Sequence, residues 1–68
     1  MKFLNVQRIL PMGNAPIAIN PEGIWLLQPQ IGADYKSSDS VTVLWIEGME
    51  PIEVLGNFKE IRALLESL

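Results

Sequence analysis

Val41-Thr42-Val43-Leu44-Trp45-Ile46-Glu47-Gly48-Met49-Glu50-Pro51-Ile52-Glu53-Val54-Leu55 is the stretch on which the fold turns. From Val41 to Ile46 every residue except Leu44 is a strong strand former, β-branched or aromatic. Gly48 supplies the turn. Either a two-residue loop at Gly48-Met49 or a four-residue loop over 47–50 places Trp45 opposite Ile52 and Val43 opposite Val54. Both pairs share a face, so turn and hydrophobic pattern predict one register. Trp45 is therefore expected in the core with Val41, Val43, Ile52 and Val54. The other face pairs Leu44 with Glu53 and Thr42 with Leu55. It is half apolar, as suits a sheet partly covered by a helix or by another subunit.

Beyond the hairpin, Gly56 lets the chain turn from strand to helix, and Asn57 is placed to accept a hydrogen bond from an early backbone N–H. Glu60, three residues on, completes a capping box. Phe58, Ile61, Leu64, Leu65 and Leu68 recur at the helical period, with Lys59, Glu60, Arg62, Glu66 and Ser67 elsewhere. This spacing predicts an amphipathic helix over 57–68. A helix of about eleven residues is marginal alone in water, so its stability must come from docking that stripe.

Upstream, residues 31–40 are the most polar stretch and read as a mobile surface loop. A strand from Ile24 to about Gln30 precedes it, held to edge status by Pro29. Asn20-Pro21-Glu22-Gly23 fits a type I turn, with Asn first, Pro second and Gly fourth. That turn predicts a chain reversal with Trp25 opposite Ala18. Ile17 to Asn20 is a further strand, and Pro11 to Pro16 a turn. With Gly13-Asn14 at its centre, Leu10 would pair with Ile17 and Arg8 with Ile19. The first strand runs from Phe3 to Leu10, where Arg8 interrupts the parity of Leu4, Val6 and Leu10. The resulting expectation is an α+β, mainly β domain over 1–68: an antiparallel sheet of about five hairpin-linked strands with one C-terminal amphipathic helix packed on it.

A 68-residue chain has material for one core. At this size only about 60% of the unfolded surface is buried, and small cores need help from disulfides, metals or oligomerisation. The chain has no Cys and no His, which removes disulfides and the usual zinc ligands. Oligomerisation is the aid left open. Hydrophobic residues make up 49% of the chain against 19% charged, more apolar material than one sheet and one short helix can cover. No apolar run is longer than that from Ile24 to Leu27, far short of the roughly 20 residues of a membrane span. The N-terminal residues do not form a signal-type stretch, so a cytoplasmic location is expected. A net charge of −3, with five scattered basic residues, argues against nucleic acid as a partner.

The same inventory argues against an enzyme. Without His or Cys the commonest general base and the most reactive nucleophile are missing. Glu47, Glu50 and Glu53 form the one carboxylate grouping worth weighing, but charges flanking a tight turn ordinarily serve solubility. Lys36-Ser37-Ser38 lacks the spacing of a phosphate-binding loop. No catalytic, metal-ligating or cofactor-binding set emerges. Trp25 and Trp45 carry more information, since a tryptophan in a strand fills a core, anchors an interface or stacks on a planar ligand.

The order Ile19-Asn20-Pro21-Glu22-Gly23-Ile24, then Val41 to Ile46, then Val54 to Leu65 resembles the small FlbD-type proteins. These are flagellum-associated bacterial chains with uncharacterised look-alikes in phage and bacterial genomes. The resemblance implies no catalytic residue to carry over. The expected function is thus an accessory or assembly module acting through self-association and contact with other proteins. Its interface would use the face carrying Trp25 and Leu27 or the face carrying Leu44 and Leu55. The alternative is an oligomer that sequesters a planar or anionic small molecule between subunits. Trp45, Asn57, Phe58, Ile61 and Leu65 are assigned structural roles.

Overall fold

In the computed structural model, which describes residues 2–30 and 40–68, the first two strands form a hairpin. Strand β1 runs Leu4–Leu10 and β2 runs Gly13–Ile19. The turn between them is Pro11-Met12, with Pro11 in its second position and Gly13, at φ 135°, in its fourth. This corrects the expected Gly13-Asn14 turn. Leu4 pairs with Ile19 and Val6 with Ile17, while Arg8 meets Ala15. The observed register joins aliphatic residues on one face, whereas the expected one set Arg8 against Ile19. Burial of Leu4, Val6 and Ile19 rewards that arrangement.

Strands β3 (Ile24–Pro29), β4 (Val41–Ile46) and β5 (Ile52–Leu55) follow. The β4–β5 hairpin is also displaced by one residue from expectation: Leu44 faces Ile52, Thr42 faces Val54 and Val43 faces Glu53. Its turn closes where the Met49 N–H donates to the Ile46 carbonyl at 3.2 Å, and Gly48 takes φ 85°. Glu50 and Pro51 remain outside the ladder, so the connection is odd in length. A one-residue slip moves every side chain to the other face. Thr42, Leu44, Ile52 and Val54 consequently line the core, and Trp45, Val43 and Val41 lie on the outside. The expectation of Trp45 in the core is overturned. Thr42, fully buried, donates its hydroxyl to the Gly56 carbonyl at 2.9 Å and so carries no unsatisfied group inward.

All strands join one sheet in the order β2-β1-β5-β4-β3, which sets β2 and β3 at opposite edges. The turn between them has the expected local chemistry: the Gly23 N–H donates to the Asn20 carbonyl at 3.1 Å, and the Asn20 side chain accepts from the Glu22 N–H at 3.0 Å. It does not make a hairpin, however, and Trp25 does not pair with Ala18. A flat sheet would separate the edges by four strand spacings, about 19 Å. The five steps from Ile19 to Ile24 reach at most about 18 Å when fully extended, and here they include the 3₁₀ turn Pro21–Gly23. The sheet must coil to let the chain cross. A hydrogen bond from the Glu47 N–H to the Gly23 carbonyl, 2.8 Å, ties the crossing to the β4–β5 turn.

Helix α1, Phe58–Glu66, packs against β3 and β4. Its start is the expected cap: Asn57 Oδ1 accepts from the Glu60 N–H at 2.8 Å. Glu60 returns the contact to the Asn57 side-chain amide at 3.0 Å rather than to its backbone. Ile61 enters the core formed by Leu4, Val6, Ile19, Leu44, Ile52 and Val54, and Leu65 packs at its margin with Leu27, Ile24 and Ile46. Among the described residues no helix is long and apolar enough to cross a membrane.

Candidate interaction surface

A β-bulge shapes the side of the sheet turned away from the core. Ile24 pairs with Ile46 and Leu26 with Trp45, which leaves Trp25 as the extra residue between them. A bulge re-aims the side chain it carries. Trp25 is thereby turned outward at 63% exposure, and its ring stands 5.8 Å from that of Trp45 at an interplanar angle of 55°. That tilted arrangement is one that the ring quadrupoles favour.

Around the pair the outer face of β3, β4 and β5 is apolar. Leu26, Val43 and Val41 follow along it, and Leu55 is 46% exposed at its far side. Its polar members are Gln28 and Glu53, both opposite Val43, and no basic side chain shares these register positions. By contrast the same side of β1 and β2 carries Asn5, Gln7 and Asn14 beside Ile9, Pro16 and Ala18. Of the two halves, the one formed by β3, β4 and β5 is the more apolar. The Trp45 indole N–H is buried there with no hydrogen-bond partner among the described residues. Such an orphan donor costs about 1–3 kcal/mol relative to a satisfied one.

The structure separates the residues that the sequence grouped. Trp25 and Leu55 are on the outer face, but Leu44 is a fully buried core residue, and its assignment to an interface is corrected. Leu27, opposite Leu44, also points inward and is half-buried. The bulge breaks the alternation linking Trp25 to Leu27, and the shifted hairpin breaks the link between Leu44 and Leu55. Leu26 and Val43 belong to the apolar face and were missed. The signal was present in Val41 to Ile46, which is apolar on both parities. Glu47, Glu50 and Glu53 are all exposed. Lys36-Ser37-Ser38 and most of the polar loop lie outside the described residues. Comparison with protein-family models, curated proteins and solved structures finds no match to this chain.

Proposed function

We propose that this chain is a non-catalytic, cytoplasmic accessory or assembly module that self-associates through the outer face of β3, β4 and β5. One observation carries the reading: Trp25 and Leu26, 63% and 38% exposed, stand beside Trp45 on the outer face of an acidic protein, and Val43, Val41 and the 46% exposed Leu55 follow along the same face. Large apolar patches of this kind mark contact surfaces on folded proteins. A second copy is the partner always present, and two-fold pairing of like faces is the commonest solution. The sheet edges are poorly suited to the task. Pro16 lies in edge strand β2, while the bulge and Pro29 interrupt edge strand β3. Face packing follows. An apolar face with no basic side chain at the described register positions also suits a protein better than an anionic ligand. The FlbD-type resemblance is compatible with an accessory role.

Light scattering over a dilution series tests this. The parent should have the mass of a dimer or larger oligomer at micromolar concentration, and Trp25→Asp should shift it to monomer while keeping a folded spectrum. A monomeric parent, or a Trp25→Asp variant of unchanged mass, refutes it.

A further inference from the structure

Arg8 is on the wrong side of the sheet for a charged residue. It continues the inward parity of Leu4 and Val6 and pairs across β1 and β5 with the fully buried Val54. It is half-buried, and among the described residues no hydrogen-bond or ion-pair partner meets its guanidinium. A guanidinium that has lost part of its hydration gains from an anionic partner. Here it lines a groove of about 460 Å³ between β2 and the β4–β5 turn, whose walls include Ile17, Ile19, Ile46 and Ile52. Glu47 lines the same groove without forming an ion pair to Arg8.

We propose that this groove binds a small monocarboxylate with an apolar body. The volume falls within the range of small-molecule sites, about 300–1,000 Å³. A guanidinium presents a planar fork of donors that matches a carboxylate in a bidentate bond. The isoleucine walls take a hydrocarbon body, which gains from leaving water. Glu47 selects against a second negative charge, so a monoanion fits where a phosphate ester or dicarboxylate would be repelled. The site is on the core side of the sheet, and it is independent of self-association through the outer face.

The experiment is a ¹⁵N-resolved NMR titration of the intact chain with octanoate and, in parallel, with 1-octanol. Octanoate should move the amides of residues 17–20 and 46–49 saturably, and octanol should bind at least about ten-fold more weakly, the loss expected for one charge-assisted bond. Arg8→Gln should bring octanoate down to the affinity of octanol, and Trp25→Asp should leave octanoate binding unchanged. Equal affinity for the two probes in the parent chain overturns the proposal even where Arg8→Gln does not fold. So do shifts centred on residues 25, 26, 45 and 55, or an Arg8→Gln variant that binds octanoate as the parent does.

Discussion

Replacing Gly56 by Ala tests how the helix is joined to the sheet, because it adds one methyl group at the junction. Gly56 has φ 126°, a region that residues with a side chain rarely adopt. Its added Cβ would also stand 2.9 Å from Ile61 Cδ1 and 3.4 Å from Ile61 Cγ1. Ile61 is 2% exposed and lies within the core cluster, so its side chain can retreat only against other core residues. Gly13 supplies the control. It has a similar φ of 135°, but nothing lies within 4 Å of its added Cβ. Gly13→Ala should therefore cost the backbone term alone, about 1–3 kcal/mol. Gly56→Ala should cost that plus overpacking, a further 1–3 kcal/mol or about that. Against a total stability of about 3–10 kcal/mol for a chain of this length, the second variant is close to unfolding. Ile61→Val removes the clashing methyl for about 0.5–1.5 kcal/mol. In that background the cost of Gly56→Ala should fall toward that of Gly13→Ala, a coupling of about 1 kcal/mol. Urea unfolding followed by tryptophan fluorescence, at one protein concentration throughout, measures all four free energies. Equal costs at Gly13 and Gly56, with no coupling to Ile61→Val, would show that Ile61 does not pack against the junction.

Ile61→Ala should destabilise by about 2–5 kcal/mol, and Leu65→Ala, at a half-buried site, by less, both read from urea midpoints; an Ile61→Ala variant that unfolds like the parent rejects the docked helix. Asn57→Ala should cost about 1 kcal/mol through loss of the cap, and an unchanged midpoint means the helix starts elsewhere. Leu44→Ala should cost about 2–5 kcal/mol, while Leu55→Ala, at an exposed site, should cost under about 1 kcal/mol when the protein is dilute. The reverse order would restore the register in which Trp45 faces the core. Thr42→Val should cost about 1–2 kcal/mol by leaving the Gly56 carbonyl without its donor, and calorimetry showing no loss would remove that bond from the account.

Local chemistry was legible in the residues themselves. The capping pair Asn57 and Glu60, the Ile61 and Leu65 stripe, the Asn20 to Gly23 turn, and the edge position implied by Pro29 all depend on neighbours within a few residues. Period and turn propensity report those directly. Registers and strand order do not have that property. Val41 to Ile46 is apolar on both parities, so burial of either face satisfies the pattern, and one residue of loop length over 47–51 decides between them. Arg8 interrupted its strand's pattern visibly, but the groove beside it exists only once β2 is brought to the β4–β5 turn. The bulge at Trp25 arises from pairing with β4, and no alternation within β3 announces it. The contact of β1 with β5 joins residues more than forty positions apart, Arg8 to Val54, and it is this contact that sends β2 and β3 to opposite edges and coils the sheet. Element identity was thus determined by the sequence through short-range chemistry. Which tryptophans face solvent was decided only by tertiary structure, because a single-residue shift in strand pairing exchanges the two faces of a sheet.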